Sequence, residues 1–183
     1  MPSRRLRNAR RAAGRCGVGL VLVSSLLGPA ATAQSKRALP DAARAVLDRF
    51  AGTWDVTLTV KKPEPAVVTY TATSVWVLDH HFLRGESGVK SDGSQELWMF
   101  TYDPAARTYP LWVYYSSGLV AYLQHGEWDG STGTMSWKSG AVDPIQFESR
   151  CSFEGTALLR CSTQVTGGLG VTGIDYDSVA RRR

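Results

Sequence analysis

Phe50-Ala51-Gly52-Thr53-Trp54-Asp55-Val56-Thr57-Leu58 is the stretch where the apolar pattern of this chain changes its period. Upstream, Pro40-Asp41 suits the first turn of a helix, and Ala43, Val46, Leu47 and Phe50 recur on one helical face. Gly52 stops that helix. From Thr53 onward, Trp54, Val56, Leu58 and Val60 alternate with polar residues, the period-2 signature of a half-buried strand. A helix this short is marginal alone, so it is expected to lean on the rest of the fold, at the open end of a barrel.

Downstream the period stays at two. Strands are expected over 53–60, 66–77, 82–86, 95–102, 108–115, 119–128, 132–138, 145–151, 157–161 and 173–180. Between them stand turn signals such as Pro63-Glu64-Pro65, Asp103-Pro104 and Asp129-Gly130. About ten short strands without crossover helices imply an antiparallel meander, and up-and-down closure into a barrel removes its edges. A β-sandwich is the competing architecture. The fold class expected is therefore all-β, with a short N-terminal helix.

Charge and cysteine usage bear on compartment. The chain carries 21 basic and 16 acidic residues, but six arginines lie within positions 1–33, where there is no acid. The remaining 15 basic residues against 16 acidic ones leave the rest near neutral, so no nucleic-acid surface is implied. Residues 1–33 have the arginine-rich, apolar and small-x-small parts of a secretory signal ending at Ala31-Thr32-Ala33. Residues 34–39 form a linker and 40–183 the barrel domain. The product is expected to be exported, periplasmic or secreted, from a bacterium, with no membrane span after cleavage. By either the Sec or the twin-arginine route, such a compartment is oxidising. Cys151 and Cys161 then favour a disulfide: a hairpin centred on Thr156 sets them opposite each other, within bonding reach.

Gly52-Thr53-Trp54 after a short helix resembles the Gly-x-Trp start of the calycins, the lipocalin and fatty-acid-binding barrels. Leu47-x-x-Phe50-x-Gly52-Thr53-Trp54-Asp55-Val56, Phe82-Leu83-x-Gly85-Glu86, Tyr102-Asp103-Pro104 and Gly126-x-Trp128-Asp129 resemble a bacterial family of lipocalin-like domains of unknown function. The resemblance covers most of residues 45–183. It implies that Gly52 and Trp54 close one end of the barrel, with a C-terminal arginine, Arg181 or Arg182, packed across the tryptophan; Arg181 is taken as that residue. A ligand would then lie toward the opposite end.

Candidate chemistry is sparse. Trp98 and Phe100, Trp112 and Tyr114, and Tyr122 form aromatic stripes on neighbouring strands, and these five are the candidate ligand-binding residues. An aromatic-lined cavity for a small apolar or amphipathic ligand competes with a filled barrel wearing an aromatic belt. Glu86, Glu96 and Glu127 are carboxylates that a cavity would turn into acids or bases. The adjacent His80 and His81 point to opposite faces and cannot chelate one ion, although His81 with Asp79 and His125 is conceivable across a barrel. Ser87-Gly88-Val89-Lys90 has Ser-x-x-Lys spacing without a helix, and Gly167-Gly168-Leu169-Gly170 has no helix after it to hold a phosphate. No cofactor and no metal is implied. The leading expectation is a non-enzymatic ligand-binding barrel. The alternatives are an enzyme using a cavity carboxylate or histidine, and an interaction protein docking through exposed aromatics.

Overall fold

The computed structural model describes residues 38–167 and 173–183; residues 1–37 and 168–172 lie outside them. One helix, α1 (Asp41–Asp48), precedes eleven strands. In order these are β1 (Gly52–Lys62), β2 (Ala66–Val77), β3 (Phe82–Ser87), β4 (Glu96–Phe100), β5 (Leu111–Tyr115) and β6 (Val120–Leu123). Then come β7 (His125–Asp129), β8 (Thr134–Lys138), β9 (Gln146–Glu154), β10 (Leu158–Thr166) and β11 (Ile174–Arg182). All belong to one antiparallel sheet whose order is β6-β5-β4-β3-β2-β1-β11-β10-β9-β8-β7. Every consecutive pair of strands except β6 and β7 is hydrogen-bonded, and the first strand pairs with the last, so the sheet curls into a nearly closed up-and-down barrel.

The eleventh strand arises from one break. The sequence marks 119–128 as a single strand, but it parts at Gln124: β6 bonds to β5, and β7 bonds to β8. One stretch of chain thus supplies both ends of the sheet. The seam is crossed where the Tyr109 N–H donates to the Gly126 carbonyl at 2.8 Å and the Trp137 indole donates to the Tyr109 carbonyl at 2.9 Å. A Cβ at Gly126 would lie 2.0 Å from that Tyr109 oxygen, so glycine is what lets the two edges approach.

The β9–β10 hairpin has the register centred on Thr156. Cys151 faces Cys161 with their Cα atoms 4.0 Å apart, and the two are joined as a disulfide. A cross-link over a separation of ten residues removes loop entropy from the unfolded chain. The double variant Cys151→Ser/Cys161→Ser is expected to lose about 2–3 kcal/mol. Urea denaturation checks it, and an unchanged midpoint would contradict it.

Gly52, Trp54 and α1 share one end of the barrel. Ala43, Val46 and Leu47 are buried there, and the Phe50 ring inserts among Phe100, Trp137 and Phe153. The Trp54 indole donates to the Phe50 carbonyl at 3.2 Å. The helix therefore plugs the tryptophan end, not the open end. The arginine across Trp54 is Arg182, its guanidinium 4.3 Å from the ring centroid; Arg181 is not the residue that packs there. Register decides this, because Trp54 is paired with Arg182, and residues directly opposite share a face, while Arg181 projects to the other. Arg182 also donates to the carbonyls of Ala51, Arg49 and Thr156. Gly52 has φ 110°, and a Cβ on it would come within 2.8 Å of the Arg182 guanidinium.

Candidate functional site

Inward-facing residues of eight strands, together with Phe50, leave a cavity of about 220 Å³ inside the barrel. Its floor is aromatic: Phe50, Trp54, Phe100 and Trp137, directly over the helical plug. Its walls are Val56, Ala72, Leu111, Val113 and Ala180, with the Cys151–Cys161 disulfide on one side. Away from the floor the lining turns polar with Tyr70, Glu96, Tyr115, Tyr176, Thr163 and Ser149. The cavity is thus graded from hydrocarbon to hydrogen-bonding groups along the barrel axis.

The polar group is tightly interconnected. Glu96 Oε2 lies 3.0 Å from the Lys90 ammonium, which also sits 4.8 Å from the Tyr70 ring centroid. The Tyr70 hydroxyl donates to Glu96, and Tyr176 shares a hydrogen bond with Thr163. Burial pushes the Tyr70 and Tyr115 phenols well above their ordinary pKa, and the neighbouring Glu96 charge adds to the rise in both. Burial also pushes Tyr176 up, to about 12, with Glu96 contributing and the Thr163 hydrogen bond opposing. At neutral pH the three hydroxyls are uncharged donors and acceptors.

Of the five aromatic residues singled out in the sequence, Trp98 and Phe100 line this cavity. Trp112, Tyr114 and Tyr122 do not. Trp98 pairs with Val113 and Phe100 with Leu111, so Trp112 and Tyr114 project from the opposite, outer face. There Trp112 stacks on Tyr122 with ring centroids 5.0 Å apart, and Tyr114 and Tyr122 are each 42% exposed. Glu96 is the one of the three candidate carboxylates that lines the cavity. Glu86 pairs with Arg84 outside, and Glu127 stands on the outer wall of β7.

Other candidates separate. His81 lies in the turn just before β3, held by its Nδ1 to the Leu78 and Asp79 carbonyls, whereas His125 pairs with Lys138 at the far end of β8. The described residues contain no group of three or more His, Cys, Asp or Glu placed to hold a metal ion. Ser87 and Lys90 do not form a nucleophile and base: the Ser87 hydroxyl accepts the Glu96 N–H at 2.9 Å, and Lys90 is paired with the Glu96 carboxylate. Of the glycine loop at 167–170, only Gly167 is among the described residues.

Tyr70, Tyr115 and Tyr176 are absent from the candidates read from the sequence, and Lys90 stands among them only through the Ser-x-x-Lys spacing. Glu96 was legible because it lies two residues before Trp98 and four before Phe100, on their strand face. A second signal also stands in the sequence. Gly85 lies opposite Trp98, as Gly126 lies opposite Trp137, so each indole covers a glycine on the next strand. A Cβ at Gly85 would lie 2.0 Å from the Trp98 ring. Gly85→Ala must push that ring off the cavity wall, with an expected loss of about 1–3 kcal/mol. Thermal melting reads it, and an unshifted transition would show that the ring is not held there.

Two solved structures share the fold. The Rv2717c protein of M. tuberculosis superposes with a TM-score of 0.56 at 15% identity, over 80% of this chain and 99% of that one. An S-type phycobiliprotein lyase, CPES from Guillardia theta, gives 0.53 at 15% identity, over 76% and 91%. At such identities the likeness concerns the barrel alone. No curated protein matches the sequence. Residues 39–156, from the linker through the plug and nine strands to the turn of the disulfide hairpin, match the model of a family described as "Protein of unknown function (DUF1579)", and the chain belongs to that family.

Proposed function

We propose that this protein is an exported, calycin-like barrel that binds one small amphipathic molecule in its interior. The observation that carries this is the grading of the cavity, with an aromatic floor at Phe100 and Trp137 and hydrogen-bonding groups at Tyr70, Glu96, Tyr115 and Tyr176. A filled barrel would leave no such space, and a wholly apolar one would have no means of orienting a ligand.

Volume narrows the class. About 220 Å³ exceeds the ~150 Å³ void that accepts benzene and falls below the ~300–1,000 Å³ of drug-sized sites. The fit is a single ring or a short branched chain with one polar head, and a long acyl chain or a haem is too large. Binding is favoured over catalysis because Glu96, the one carboxylate in the cavity, is tied by Lys90 and Tyr70 instead of being free to exchange a proton. Export is supported by the signal-like residues 1–33 and by a disulfide suited to an oxidising compartment.

Native mass spectrometry of protein purified from its own source tests the whole proposal. The expected spectrum shows a mature chain beginning at Gln34, with a retained small-molecule adduct. Calorimetry with one-ring alcohols is the complementary measurement. Absence of any adduct together with absence of heat for every such alcohol overturns the binding function, and an uncleaved N-terminus overturns export.

A further inference from the structure

The lining of the cavity carries a single formal charge, Glu96, and that charge is held in an ion pair. Among the described residues lining it, Glu96 is the only charged one, and its partner Lys90 reaches it from the loop between β3 and β4. That loop is fixed along β2, with the Gly88 N–H donating to the Thr71 carbonyl at 2.9 Å and the Ser91 N–H to the Thr69 carbonyl at 3.1 Å. The Lys90 and Glu96 side chains are 8% and 15% exposed, so salt screens them little. For stability alone such a pair has weak justification, since two apolar side chains of similar volume do as well or better. Its effect on what can enter is large.

A ligand carboxylate would set a second anion beside Glu96, with one ammonium to serve both. A ligand amine would set a second cation near Lys90, which stands just behind Glu96, while Glu96 is already engaged. An uncharged head meets no such conflict. It finds tyrosine hydroxyls that donate or accept, and the remaining lone pairs of Glu96. We infer that the Lys90–Glu96 pair is the specificity-determining element of the cavity and restricts it to uncharged amphipathic ligands: alcohols, phenols, ketones or amides with one apolar group. This rests on the binding function proposed above and names its ligand class.

Three one-ring probes of matched shape, benzyl alcohol, benzoate and benzylammonium, test it by calorimetry on the purified protein. Benzyl alcohol is expected to bind, and each ion roughly 100-fold more weakly, as like-charge contacts in a desolvated site dictate. The charge order then follows the pair. Lys90→Met leaves Glu96 alone and makes benzylammonium the preferred ion, and Glu96→Gln leaves Lys90 alone and makes benzoate the preferred ion. If Lys90→Met does not stay folded unaided, benzylammonium and not benzoate should raise its melting temperature, by replacing the missing ammonium.

Either ion binding the unaltered protein as tightly as benzyl alcohol overturns the inference while leaving a binding cavity in place. So does a charge order that is the same in both single variants. If none of the three probes binds any form, the binding function fails and the inference fails with it.

Discussion

Phe50→Ala is expected to lower the unfolding free energy by about 3–5 kcal/mol, the usual cost of truncating a buried aromatic. The ring makes edge contacts with Phe100, Trp137 and Phe153 at centroid distances of 5.3, 5.7 and 4.8 Å. The ring thereby ties the plug to strands on both sides of the seam: Phe100 belongs to β4, Trp137 to β8 and Phe153 to β9. The eight-residue helix has too few turns to persist by itself, so losing its anchor also loosens Leu47 and Val46. Against a typical total of about 5–15 kcal/mol, the loss is a large share. Urea titration measures it, and a drop under ~1 kcal/mol would mean that the helix docks without Phe50.

Alkaline pH should destabilise the barrel through the tyrosines of its cavity. In the unfolded chain a tyrosine loses its proton near pH 10, but folded Tyr176 keeps it until about pH 12. Between these values the native state binds a proton that the unfolded state has released. The stabilisation is complete below pH 10 and is lost as pH rises toward 12. From Tyr176 alone the fall is about 2–3 kcal/mol, and Tyr70 and Tyr115, also raised by burial, add in the same direction. Comparing urea midpoints at pH 8 and pH 11, where about half of that fall is present, for the unaltered protein and Tyr176→Phe isolates the effect. The variant should show the shallower fall, and identical slopes would place the Tyr176 hydroxyl in solvent.

Both predictions depend on which side chains meet inside the barrel, and this is where the sequence stops. Strand alternation assigned Trp98 and Phe100 to one face, and Trp112 and Tyr114 to one face of the next strand. Alternation carries no sign, so either face of each strand satisfies the pattern when both bear aromatics. The β4–β5 register resolves it by setting Trp98 opposite Val113 and not opposite Trp112. The same limit explains the arginine. Arg181 and Arg182 are equivalent in composition and differ only in which face of β11 they occupy, which is decided by pairing with β1.

What the sequence determined by itself was local. Period-2 runs bounded by proline, glycine and aspartate placed nine of the strands. The turn centred on Thr156 brought Cys151 and Cys161 together, because a hairpin's register follows from its own turn. Gly52-Thr53-Trp54 marked the corner where helix gives way to barrel. Only the tertiary structure decided the break at Gln124, the helix plugging the tryptophan end, the inward face of each strand and the approach of Lys90 to Glu96. Each of these depends on contacts between segments far apart in the chain, where burial summed over several strands outweighs any local preference.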